Sequence, residues 1–134
     1  MKFREFKGQS VYGNDWAYGD LVHLKGEEHI MPLPNLYTKV KPETVCVYTG
    51  LWDKNNKKVF VGDIIKFTKR TVEYTGVVIE KDYAYWVMAH AGFFDYFYLI
   101  ELKKCEDCTV VANVHDNLPE YKNINEEYKR KGIV

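Results

Sequence analysis

The sequence predicts a mostly β protein: a small SH3-like β-barrel, with an N-terminal β-hairpin region before it and a short C-terminal helix after it. Short runs of β-branched and aromatic residues recur along the chain, each punctuated by Gly, Asn, Asp or Pro, and no amphipathic helical period of useful length precedes Pro119. At 134 residues, one main hydrophobic core is expected. The 46% hydrophobic and 28% charged residues are the mix of an ordinary folded domain and exclude a disordered chain, a collagen-like repeat or a coiled coil.

Taken in order, the predicted strands are Lys2 to Phe6, Trp16 to Leu24, Thr44 to Thr49, Lys58 to Phe60, Ile64 to Lys69, Val72 to Glu80, Tyr83 to Ala89, Phe97 to Leu102 and Thr109 to Val114. Between the second and third lies Met31-Pro32-Leu33-Pro34-Asn35, whose two prolines lack ladder donors and predict a loop or linker. The divisions are therefore residues 1–41 for the hairpin region and linker, 42–118 for the barrel and 119–134 for the tail. In Ile64 to Lys69, Ile65 and Phe67 alternate with Lys66 and Thr68, so one face is core and the other wet. Gly76 interrupts the next strand and predicts a bulge or sharp bend. Lys81-Asp82 then turns the chain into Tyr83 to Ala89, completing a three-stranded meander. Five such strands close as a small barrel, which removes exposed edges. From Pro119 to Lys131, an early Pro, central Glu126 and Glu127, and terminal Lys129-Arg130-Lys131 suit a short helix dipole and predict a frayed terminal helix.

Nineteen Lys and Arg balance nineteen Asp and Glu, so the net field typical of a nucleic-acid or acidic-membrane binder is missing. No run of about 18 apolar residues occurs, and the N-terminus carries no apolar stretch, so neither a membrane span nor a signal peptide is expected. Three cysteines, Cys46, Cys105 and Cys108, fit reduced thiols and a cytoplasmic location better than a disulfide framework. The Cys105-Glu106-Asp107-Cys108 spacing resembles half of a zinc knuckle. Its only plausible further ligands are Cys46, His90 and His115, which form no second knuckle. The two intervening acids oppose thiolate formation, so ordinary thiols in a loop are expected, with no metal and no cofactor.

The segment Tyr48-Thr49-Gly50-Leu51-Trp52-Asp53-Lys54-Asn55-Asn56-Lys57-Lys58-Val59-Phe60-Val61-Gly62-Asp63-Ile64-Ile65-Lys66 resembles the central motif of the YopX family of bacteriophage and prophage proteins. The likeness extends to Lys2-Phe3-Arg4 and Trp16-Ala17-Tyr18-Gly19-Asp20-Leu21 upstream, and to Ala112-Asn113-Val114-His115-Asp116-Asn117-Leu118-Pro119-Glu120 downstream. Asn56 and Ala112 stand where the family commonly has Gly. The resemblance implies a phage or prophage protein with an SH3-like barrel in the bacterial cytoplasm, and it brings no enzymatic role. Asn tolerates the left-handed backbone of a primed turn, so Asn55-Asn56 is expected to make one. Gly50 and Gly62 supply unusual dihedrals, and Asp63 is suited to bind backbone amides where the chain enters a strand. These are folding roles.

Four scattered histidines form no HxH, HExxH or triad pattern, and the glycines form no phosphate loop, so no enzyme is predicted. His90, beside Gly92 and Asp95, reads as an exposed turn histidine rather than a base. Two surfaces remain. Asp53 to Arg70 holds Lys54, Lys57, Lys58, Lys66, Lys69 and Arg70 against two acids, a local +4; Thr71 to Asp116 carries a local −5. With Trp52, Phe60, Tyr74 or Trp86 as stacking platforms, the basic hairpin is a single-stranded nucleic-acid alternative. The favoured surface is aromatic. Tyr83 to Ala89 is apolar on both faces, and only one can be barrel core, so the other needs cover from the N-terminal segment, another subunit or a ligand. The candidate protein interface is Tyr83, Tyr85, Trp86, Met88, Phe93, Phe94, Tyr96 and Tyr98. The expected partners are a second copy of the chain or a host or phage protein, and no membrane.

Overall fold

The computed structural model describes residues 5–91, 97–116 and 118–133. The chain divides into two compact units, Met1–Tyr48 and Thr49–Val134.

The first unit is an antiparallel sheet of β1 (Phe6–Gln9), β2 (Trp16–Leu24), β3 (Glu27–Leu33) and β4 (Leu36–Lys39), joined on the far side of β1 by the start of β5 (Cys46–Trp52). Lys25 and Gly26 both adopt left-handed backbone (φ 51° and 78°), and Leu24 lies opposite Glu27, which is a two-residue primed hairpin turn. The strand expected at Lys2 to Phe6 begins instead at Phe6; residues 2–4 lie outside the described residues. Met31 to Asn35 is not a linker. β3 runs through Pro32, where the β3–β4 register shifts between Ile30 and Leu33, so the proline sits at an irregularity that needs no ladder donor from it. An antiparallel bridge between Ser10 and Val40 returns the end of β4 to the end of β1. Ile30 and Val40 form the buried centre, and the Thr44 hydroxyl accepts the Gln9 N–H at 2.9 Å.

In the second unit, β5 continues to Trp52 and returns as β6 (Lys58–Phe60). There follow β7 (Asp63–Lys69), β8 (Val72–Lys81), β9 (Ala84–His90), β10 (Tyr98–Glu101), β11 (Thr109–Asn113) and α1 (Lys122–Arg130). The last five strands form one antiparallel sheet in the order β10-β9-β8-β7-β11, and the expected β7–β8–β9 meander is its centre. Its turns, Arg70-Thr71 and Asp82-Tyr83, are again residue pairs with positive φ. Tyr83, predicted as the first residue of its strand, is thus a turn residue one position before β9. Gly76 makes no bulge: it pairs in regular register with Ile65 and Ala89. Its missing side chain admits the neighbouring strand, because a Cβ there would lie 2.5 Å from Val87 Cγ1 and 2.7 Å from the Met88 carbonyl oxygen. β10 and β11 are opposite edges, and no pairing among the described residues joins them, so this mostly β sheet is open by hydrogen bonding.

Both faces of this sheet are buried, as the two-sided hydrophobicity of β9 requires. On one face Ile65, Phe67, Val78, Val87 and Ala89 pack with Val59, Leu102, Cys105 and Cys108; this is the thiol side. On the other, Ile64, Val77 and Ala112 pack with Tyr128 of α1, joined by Met88, Phe97, Tyr121 and Ile124; this is the helix side. The tail is therefore not a frayed appendage. Tyr121, Ile124 and Tyr128 recur at i, i+3 and i+7, a single helical stripe, and Tyr128 is fully buried. A buried side chain of that size contributes about 2 kcal/mol, enough to dock a nine-residue helix that is marginal alone. The cover for the second face of β9 comes from the chain's own C-terminus, a source absent from the three expected from sequence.

Candidate functional site

The central motif folds around two carboxylates. Asp53 is buried at the mouth of the β5–β6 hairpin; its Oδ1 accepts the N–H groups of Asn55 (2.8 Å) and Lys57 (2.9 Å), and its Oδ2 accepts Val110 N–H at 2.9 Å. Asp53 N–H also donates to the Lys57 carbonyl, enclosing a three-residue loop in which Asn56 alone is left-handed (φ 61°). The primed two-residue turn expected at Asn55-Asn56 is replaced by this longer loop, because the Asp53 carboxylate organises the amides that a primed turn would leave to itself. Asp63, also buried, accepts Phe60 N–H on Oδ2 (2.8 Å) and the Asn113 amide on Oδ1 (2.9 Å). Gly62, at φ 95°, accepts Val114 N–H, and Asp116 accepts Asn113 N–H at 2.8 Å. Asp53 thus ties its own loop to β11, Asp63 ties β6 and β7 to β11, and Gly62 and Asp116 hold the end of β11.

The two edges of the five-stranded sheet differ in consequence. At β11, the Asp53 carboxylate takes Val110 N–H and Lys54 N–H donates to the Cys108 carbonyl, so the hairpin closes that edge. At β10, among the described residues, no strand follows, and Tyr98 (52% exposed) and Leu99 (38%) are open to solvent. Tyr98 meets Tyr74 edge to face at 6.1 Å, and Tyr74 stacks on Phe67 at 5.4 Å, so the exposed ring ends an aromatic ladder rooted in the core.

A sequence model of the YopX protein family matches residues 2–120, most of the chain and all of the motif just described. The chain belongs to the YopX family. No protein with a curated description matches it.

In this YopX-family chain the aromatic candidates separate. Tyr85 packs against the thiol side and Met88 against the helix side. Trp86 is half-buried, its indole N–H donating to the Lys81 carbonyl at 3.2 Å. Tyr83 is fully exposed at its turn. Phe93, Phe94 and Tyr96 lie outside the described residues. Leu99 was missed in the sequence reading; the signal available was an apolar run, Phe97 to Ile100, with no charge before Glu101.

The six basic residues are spread over three places. Lys54 and Lys66 share a cleft of about 470 Å³, but Glu73, Glu106 and Asp107 line it too. Lys58 sits with its ammonium 5.5 Å from the centre of the Trp52 ring, and Lys57 is exposed on the hairpin. Lys69 and Arg70 end β7 at the far turn. Of the stacking candidates, Trp52 is 55% exposed while Phe60 is buried.

His90 is buried, not an exposed turn residue: α1 lies over it, and its Nε2 is 3.1 Å from the Tyr128 hydroxyl. Burial holds His90 below its ordinary value and pushes Tyr128 up. Burial, reinforced by Cys108, raises the Cys105 thiol to about 12, against a smaller opposing effect of Lys69. Cys108 is raised by burial and then by Asp53 and Asp107. Both thiols are packed and weakly nucleophilic.

Proposed function

We propose that this YopX-family chain is a non-catalytic phage or prophage protein of the bacterial cytoplasm, and that it acts as a self-associating or protein-binding module whose second unit is a curved, SH3-like barrel. The carrying observation is the contrast at the edges: the motif closes β11 with a buried carboxylate, whereas β10 exposes Tyr98 and Leu99. An open strand with apolar side chains is a template for another chain. Five short antiparallel strands around Val59, Ile65, Val78 and Val87 support the barrel reading. The suppressed thiols support a binding role over a chemical one. Sedimentation at several concentrations, together with affinity capture from host lysate, tests the module. A strictly monomeric species with no captured partner overturns it.

The second reading, single-stranded nucleic-acid binding, is favoured by one observation, the exposed Trp52 ring beside Lys58. Three carboxylates in the neighbouring cleft work against a phosphate track there. Titration with single-stranded DNA and RNA at low and high salt decides it: salt-dependent binding supports the reading, and none at low salt removes it.

A further inference from the structure

We infer that β10 is the self-association strand, and that it pairs antiparallel with β10 of a second copy about a two-fold axis through Leu99. The inference rests on the module reading above and specifies its partner and register.

The register is limited by the sheet's two faces and selected by the pairing of Glu101. Leu99 lies opposite Met88 and Glu101 opposite Trp86, so both point to the helix side, as does Phe97. Tyr98 lies opposite Ala89, and Ile100 packs with the thiol-side cluster. Antiparallel pairing centred on Leu99 sets Tyr98 against the partner's Ile100 on the thiol side and Glu101 against the partner's Phe97 on the helix side. A slip of one residue would match opposite faces and is excluded on that ground; a slip of two keeps the faces, but centred on Tyr98 it carries Glu101 past the partner's Phe97, and centred on Ile100 it sets Glu101 against the partner's apolar Leu99. The two Glu101 carboxylates fall at opposite ends of the pair, so like charges stay apart.

Charge also matches across the axis. Lys131 places its ammonium 5.4 Å from the centre of the Phe97 ring. Among the described residues its ion-pair partner is Glu127 at 3.9 Å, a loose contact. Glu101 is likewise held only loosely by Lys103, at 3.4 Å. In the paired strands Glu101 faces the partner's Phe97 and the cation above it, once on each side of the axis. β10 itself carries no Lys, Pro or bulge, the devices that keep edge strands from pairing. Tyr98 and Leu99 lose their exposure in the pair, and the backbone groups on the outer side of β10 gain partners.

The test uses the full chain. Leu99→Cys places two thiols across the axis with Cα atoms about 4.5–5.5 Å apart, inside the disulfide range. Mild oxidation is expected to give a covalent dimer on a non-reducing gel, with little from Glu101→Cys or from the parent chain, whose three cysteines are buried. Sedimentation of the parent is expected to show a concentration-dependent dimer, weakened at least tenfold by Leu99→Lys, with an unchanged circular dichroism spectrum and melting temperature. Glu101→Lys is expected to weaken it less, with partial rescue by Lys131→Glu. A dimer that survives Leu99→Lys overturns the inference while leaving self-association standing. A parent chain monomeric at all concentrations overturns both the inference and self-association, and leaves capture of another protein to decide the module reading. Equal cross-linking from Leu99→Cys and Glu101→Cys overturns the register.

Discussion

The edges of the second unit's sheet solve the same problem in opposite ways. β11 ends against a buried carboxylate: Asp53 accepts three backbone N–H groups, two from its own loop and one from Val110. β10 ends against solvent with a tyrosine and a leucine exposed. Both are edge strands of one sheet, but one is closed by the chain, and among the described residues the other has no strand on its outer side. A family motif built from Asp, Asn and Gly can therefore serve to close an edge, while the surface proposed for binding lies in residues outside that motif.

The largest effect is expected from removing the closure at β11. Asp53→Ala leaves three amides without their acceptor, two of them in the hairpin loop and one in the ladder. Losing a buried charged acceptor of this kind costs about 3 kcal/mol, read as a fall in the urea midpoint without a change in slope. Asp53→Asn keeps one carbonyl acceptor and is expected to recover part of the loss. If Asp53→Ala unfolds at the parent midpoint, the closed edge is not what holds the hairpin.

The thiols report the same opening locally. Cys105, raised to about 12, and Cys108 are buried beside the hairpin, and the Cys108 carbonyl accepts Lys54 N–H. In the native parent, alkylation at pH 8 is expected to be at least tenfold slower than in urea, and Asp53→Ala is expected to speed labelling of Cys108 several-fold. Mass spectrometry of labelled peptides reads both. Fast labelling of the native parent would show that this edge is open.

How far these edges were legible in the sequence depends on the range of the interactions. Local patterns reported well: alternation at Ile65 and Phe67 placed β7, and the turn-rich punctuation placed β8 and β9 to within a residue or two. Asp63 was read correctly as an amide acceptor because its partner, Phe60 N–H, is three residues away. Asp53 and Val110 are 57 residues apart, so neither the closure of β11 nor the open state of β10 could be read from neighbours. The helix side failed for the same reason. The two-sided β9 announced a missing cover, but the stripe of Tyr121, Ile124 and Tyr128 lay in a segment whose charges suggested a solvated end. His90 was misread with it, since Tyr128 of α1 and Phe97, both distant from its local turn pattern, pack against it.

That misread histidine gives the β10 side a pH dependence. His90 ends β9, the strand that carries β10, and contacts Phe97 (5.5 Å between centroids) and Tyr128 (5.9 Å). Burial lowers its pKa in the folded state, whereas the unfolded chain keeps the ordinary 6.5. Below 6.5 the unfolded chain binds a proton that the folded chain refuses, so stability is full above that value and declines as pH falls toward the lowered one. Hydrogen exchange in residues 122–130 is expected to accelerate between pH 7 and 5 before exchange in β7 and β8 does. His90→Asn removes the titration and should flatten the profile. An unchanged acid profile in His90→Asn would assign the loss to other groups.

The smallest effect on stability belongs to the open edge. Tyr98 is half exposed, and its ring meets Tyr74 of the aromatic ladder edge to face. Tyr98→Ala forfeits that aromatic pair and some partial burial, about 0.5–1 kcal/mol. Association should respond in the opposite proportion, because the same ring is set against the partner's Ile100 in the paired strands. Tyr98→Ala is therefore expected to move the melting temperature by only a few degrees while weakening the dimer several-fold. Asp53→Asn should do the reverse, lowering stability and leaving the dimer intact. Measured side by side, the two variants separate what an edge does for the fold from what it does for a partner; proportional losses in both assays would mean that the two edges are not functionally distinct.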